Sequence, residues 1–77
     1  MSAVYELWET STGNLIGTYA AEQDALDLVR NAIAMHGIAY ADTLALGRED
    51  DNGRSRTIAS GQELAKQALA SFAARDS

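Results

Sequence analysis

The sequence predicts an α+β domain of order ββαββα, a four-stranded antiparallel sheet with two helices packed on one face. Three observations predict it. The apolar period changes from extended runs to a three-and-four spacing after Ala21. An Asn-Gly step closes the acidic turn Asp50-Asp51-Asn52-Gly53, which marks a hairpin in the second half. Sliding the chain against itself by 39 residues lays one strand-turn-strand-helix stretch on another, with Tyr5 on Leu44, Leu7 on Leu46, Tyr19 on Ile58 and Ala25, Val29 and Ile33 on Leu64, Ala68 and Phe72. The reading is one domain over 1–77, built as a tandem repeat with a first ββα unit at 4–36 and a second at 43–74.

The first strand is Val4-Tyr5-Glu6-Leu7-Trp8-Glu9, a short run in which β-favouring and aromatic residues recur. Thr10-Ser11-Thr12-Gly13-Asn14 is the turn, with Gly and Asn able to take positive φ. Leu15-Ile16-Gly17-Thr18-Tyr19 returns as the partner strand. Beyond Ala21, Ala25, Leu28, Val29, Ala32 and Ile33 line one helical face, and Gly37 is the stop, with His36 suited to the carbonyl end of the helix. Ile38 to Thr43 is a connector that Ile38 and Tyr40 should tie to the core.

The third strand is Thr43-Leu44-Ala45-Leu46-Gly47-Arg48 and the fourth Arg54-Ser55-Arg56-Thr57-Ile58-Ala59, on the two arms of a type I′ turn. Ser60-Gly61-Gln62-Glu63 has the spacing of a capping box, and Leu64, Ala65, Ala68, Leu69 and Phe72 supply the second apolar stripe. Arg75-Asp76-Ser77 is expected to fray. Ala21 aligns with Ser60, so the first helix lacks a side-chain cap, a deficit of about 1 kcal/mol.

Composition narrows the function. At 77 residues the core is small, and many of the apolar residues are alanines. Without cysteine there is no disulfide, thiolate zinc site or cysteine nucleophile to stabilise or arm the chain, so apolar burial by self-association is favoured. No apolar run approaches the ~20 residues of a membrane span and no signal peptide opens the chain, which points to the cytoplasm. A net charge of −5 disfavours non-specific binding to nucleic acid or anionic membrane.

Alternation puts Tyr5, Leu7, Tyr19, Leu44, Leu46 and Ile58 toward the helices. Val4, Glu6, Trp8, Ile16, Thr18, Ala45, Ser55 and Thr57 then face away. Trp8 and Ile16 are symmetric about Thr12, which predicts a cross-strand apolar pair on the face no helix covers. Val4, Trp8, Ile16 and Thr18 are the candidate association surface.

No catalytic residue, cofactor or metal site is expected. His36 is the sole histidine and reads as a helix-end residue. Ser60 reads as a cap, and neither it nor Ser71 has a nucleophile-elbow context. Glu49-Asp50-Asp51-Asn52-Gly53 lacks the acid spacing of a calcium loop, and Glu22, Asp24 and Asp27 suit the first turns of a helix. Arg48, Arg54 and Arg56 are the basic concentration. They are either an anion contact, with Tyr5 or Trp8 for base stacking, or partners of Glu6, Glu9, Glu49 and Asp51 across the strands.

Tyr5-Glu6-Leu7-Trp8, Ser11-Thr12-Gly13-Asn14-Leu15-Ile16-Gly17, the helix ending in Gly37 and Leu44-Ala45-Leu46-Gly47-Arg48-Glu49-Asp50 resemble short bacterial proteins of ββαββ(α) type with no known activity. The resemblance covers most of the chain and implies the fold and an intracellular bacterial origin, with no catalytic motif to carry over. The expectation is a non-catalytic interaction module, a homodimer through the open sheet face or a binder of another protein. The alternatives are anion or nucleic-acid binding by the arginine hairpin, and an acidic antitoxin-like neutralising partner.

Overall fold

A computed structural model describes residues 3–76 and the side chains of residues 3–70. Strands β1 (Val4–Glu9) and β2 (Asn14–Tyr19) form the first hairpin, followed by helix α1 (Glu22–His36). A 3-10 helix, Ile38–Thr43, leads to the second hairpin, β3 (Leu44–Glu49) and β4 (Ser55–Ser60), and to helix α2 (Gly61–Asp76). The fold is α+β, with an open four-stranded antiparallel sheet of order β2-β1-β3-β4. Each hairpin supplies one inner and one outer strand.

The core forms where the alternation places it. Leu7, Leu44 and Leu46 leave one face of the sheet and are essentially inaccessible to water. They meet Ala25, Leu26, Val29 and Ile33 of α1 and Leu64, Ala65 and Ala68 of α2 in one cluster, edged by Tyr5, Tyr19, Tyr40 and Ile58. Both helices therefore share this face. The molecule is a slab of 34 × 33 × 17 Å, the thickness of one sheet and one helix layer. Alanines at 25, 65 and 68 contribute little area each but admit close approach of helix to helix and sheet.

Several local expectations shift. Leu26 is buried, while Leu69, expected in the α2 stripe, is 41% exposed at its margin. Tyr40 and Ala41 anchor the 3-10 helix, and Ile38 points into solvent. Gln62 Nε2 donates to the Ile38 carbonyl and to Asp42 Oδ1, fixing the start of α2 against that helix. Ser60 stands before α2 but belongs to β4 opposite Ala45, and Gly61 makes the corner at φ +57°. Among the described residues no Ser60–Glu63 hydrogen bond closes a capping box. Helix α1 does start without a side-chain cap at Ala21, and Gly37 ends it, donating its N–H to the Ile33 carbonyl. Helix α2 takes in Arg75 and Asp76, expected to fray. Ser77 lies outside the described residues, and Ser71 and Phe72 outside the described side chains.

The larger correction is register. In β1–β2, Leu7 faces Gly17 and Trp8 faces Leu15, so Ile16 is an extra residue, a β-bulge. In β3–β4, Leu46 faces Ala59 and Gly47 faces Thr57, so Ile58 is the extra residue. Symmetry about Thr12 fails for Ile16 because the turn spans four residues, Thr10 to Gly13, and so centres between Ser11 and Thr12, with Glu9 opposite Asn14 and Trp8 opposite Leu15 ahead of the bulge. A uniform 39-residue slide sets Ile16 against Ser55, whereas its structural counterpart is Ile58, so one fixed offset does not superpose the two halves.

Candidate functional site

Two features stand out from this frame: the sheet face opposite the helices, and the tip of the second hairpin.

The bare face is built from residues that alternate with the core. Its middle row runs Leu15, Trp8, Ala45, Ser60 across all four strands, and the next runs Thr18, Glu6, Gly47, Thr57. The cross-strand partner of Trp8 is thus Leu15, not Ile16. Leu15 is 46% and Ile16 42% exposed, Trp8 and Val4 are half-buried, and Thr18 is exposed. A centre at Thr12 skips Leu15, because a four-residue turn is centred between two residues and pairs Trp8 with Leu15. The carboxylate on this face is restrained: Ser55 Oγ donates to Glu6 Oε1 at 2.8 Å, reaching across β3.

The hairpin tip is shaped by Asp50. Its Oδ1 accepts from the amides of Asn52 at 2.9 Å and Arg54 at 3.0 Å. Its carbonyl accepts from the Gly53 amide, and its own amide donates to the Arg54 carbonyl. Gly53 has φ +79° while Asn52 keeps a negative φ, so the turn is not type I′. It is a type I turn over Asp50–Gly53 followed by Gly53 as the single left-handed residue of a G1 bulge, and the Asp50 carboxylate accepts from the Asn52 and Arg54 amides across it. This loop and the strand ends below it enclose an open cleft of about 460 Å³ lined by Arg48, Asp50, Arg54, Ser55 and Arg56. Arg48 and Arg56 are direct cross-strand partners.

The structure brings the three arginines together, with Tyr5 beside Arg48 in the same cross-strand row but outside the cleft lining, and Trp8 on the opposite face. Tyr5 is the partner of Arg48 on the other side and packs on the core, and Trp8 lies in the bare-face row. The acids expected to neutralise the arginines do not. Glu6 holds Ser55, and Glu9 accepts from the amides and hydroxyls of Ser11 and Thr12. Among the described residues Arg48, Arg54 and Arg56 have no ion pair. The Ser-Thr pair just beyond Glu9 was the signal that this acid would be engaged locally.

The Ser11 hydroxyl, then that of Thr12, lower the Glu9 pKa from an ordinary 4.5 to about 2; their amides add to this and desolvation opposes it. The ring of His36 lies 4.7 Å from that of Tyr40 at the end of α1. Among the described residues, no three His, Cys, Asp or Glu side chains are grouped to hold a metal ion, and no helix is long and apolar enough to cross a membrane. No protein family, curated protein or solved structure matches the chain.

Proposed function

We propose that this chain is a small non-catalytic interaction module that self-associates through the bare face of its sheet as a homodimer. The observation that carries this reading is the row Leu15–Trp8–Ala45 on the face without helices, in which Leu15 is exposed, Trp8 half-buried and Ala45 buried, with exposed Ile16 beside it. Apolar side chains at this density on one surface favour contact with another surface. Four strands of six residues span a sheet of about 19 by 20 Å, about 400 Å² in plan, a compact face at the small end of protein interfaces. Two copies meeting there contribute a third and fourth layer and give a small core a second apolar seam.

Charge sets the conditions. Each copy carries −5, so the copies repel at long range, and the repulsion is screened beyond about 8 Å at physiological ionic strength. An apolar contact between like-charged chains strengthens as salt rises. Sedimentation equilibrium of wild type at low and high sodium chloride, with Leu15→Lys and Trp8→Glu alongside, tests this. Leu15 is exposed enough that its replacement leaves the fold intact by circular dichroism, which guards against unfolding of the Trp8 variant. Dimer in wild type, strengthened by salt and lost in Leu15→Lys, is the expected result. A wild-type monomer at hundreds of micromolar in both salts removes the proposal and leaves the face to a different partner protein.

A further inference from the structure

We infer that the cleft at the tip of the second hairpin is a binding site for a compact, multiply charged oxyanion, of the chemistry of a phosphoryl or diphosphoryl group.

Arg48 and Arg56 sit directly opposite one another on adjacent strands, an arrangement that costs energy for like charges unless a counter-charge joins them. Among the described residues no ion pair supplies it, and Glu6 and Glu9, on the neighbouring strand, are engaged by Ser55 and by Ser11 and Thr12. Arg54 adds a third guanidinium from the loop that Asp50 holds in place. Three guanidinium groups and the Asp50 carboxylate leave the cleft lining with two net positive charges in a molecule that is otherwise strongly acidic. Guanidinium forks match phosphate oxygens bidentately, and a pre-set loop lowers the ordering cost of binding.

The lining also says what the ligand lacks. It contains no aromatic or aliphatic side chain, so nothing there stacks a nucleobase or buries a hydrocarbon tail. Glu49 and Asp51 flank the arginines in sequence, and the whole chain carries −5, so the positive field is confined to one cleft and an extended polyanion is repelled beyond it. A volume of about 460 Å³ falls within the usual range of small-ligand sites. Arg48 alternates with Leu44 and Leu46, so it and its partner Arg56 leave the sheet on the helix side, opposite to Trp8 and Leu15.

The test is a titration of the full-length ¹⁵N-labelled chain with sodium pyrophosphate, followed by amide shifts against sodium chloride at matched ionic strength. The expected result is saturable shifts confined to residues 48–56, with affinity falling about tenfold or more in Arg56→Gln and again in the Arg48→Gln/Arg56→Gln pair. Pyrophosphate should also raise the melting temperature of wild type by more than it raises that of the double variant, which controls for the general stabilisation phosphates give. Inorganic phosphate binding in the same place more weakly fits the same site. Shifts no larger than with chloride, or unchanged affinity in the double variant, overturn the assignment. A single-stranded oligonucleotide that moves the same amides at lower concentration than pyrophosphate overturns it in favour of a nucleic-acid surface.

Discussion

Ser55 on β4 and Glu6 on β1 are joined by a 2.8 Å hydrogen bond that spans the strand between them, passing above Gly47 of β3. A Cβ at Gly47 would stand 3.7 Å from Glu6 Oε1 and 3.3 Å from the Arg56 carbonyl oxygen. A lone Cβ would fit under the bond in ordinary contact, whereas a branched side chain would extend into its path.

Gly47→Val therefore meets a backbone atom at tight range and displaces the Glu6–Ser55 link. The expected cost is about 1–3 kcal/mol, in spite of the better strand propensity of valine. Urea midpoints of the two proteins measure it. An unchanged midpoint would mean that β3 and β4 separate there without penalty.

Ala21→Ser supplies the missing cap of α1. Ala21 has φ −125° and ψ 141°, the extended geometry of a cap residue, and its side chain makes no capping bond. The expected gain is about 1 kcal/mol, or about 4–8 °C in melting temperature for a domain of this size. Differential scanning calorimetry reads it directly.

Leu46→Ala removes a fully buried side chain from the centre of the sheet. Its expected cost, about 2–5 kcal/mol, is a large part of the roughly 4–12 kcal/mol available to a chain of this length. Leu15→Ala, on the open face, should cost the monomer under about 0.5 kcal/mol. Denaturation at a protein concentration low enough to keep the chain monomeric separates the two.

Glu9 gives the acid limb a specific contributor. Its folded-state pKa is depressed, so the contribution is complete above the ordinary value of 4.5 and is lost as pH falls toward about 2. The stability gap between wild type and Glu9→Gln should narrow over that window and be constant above it. Urea melts at several pH values between these limits, with an NMR titration of the Glu9 carboxyl, check both the sign and the window.

What was legible from residues alone follows from periodicity. Tyr5 with Leu7, and Leu44 with Leu46, alternate cleanly, and the strands that hold them lie where their spacing puts them. Helix α1 was equally plain, since Val29 and Ile33 keep its face and Gly37 ends it. The bulges at Ile16 and Ile58 left no mark, because an inserted isoleucine has the same strand preference as a paired one. The 3-10 segment was hidden for another reason: six residues are too few to display a period. At the hairpin tip the three arginines were visible, but not that Asp50 would hold the loop or that Ser55 would occupy Glu6. Those depend on distances across three strands, which spacing along one chain does not encode.

The two bulges have one more consequence. β2 is an outer strand without a charged residue from Asn14 to Tyr19, the kind of rim on which further strands accumulate. Ile16 on that rim and Ile58 on the opposite one each break the ladder and increase the local twist, so neither rim offers a flat template. A strand arriving at either rim would meet a kinked ladder in place of a straight one, which works against stacking of further sheets.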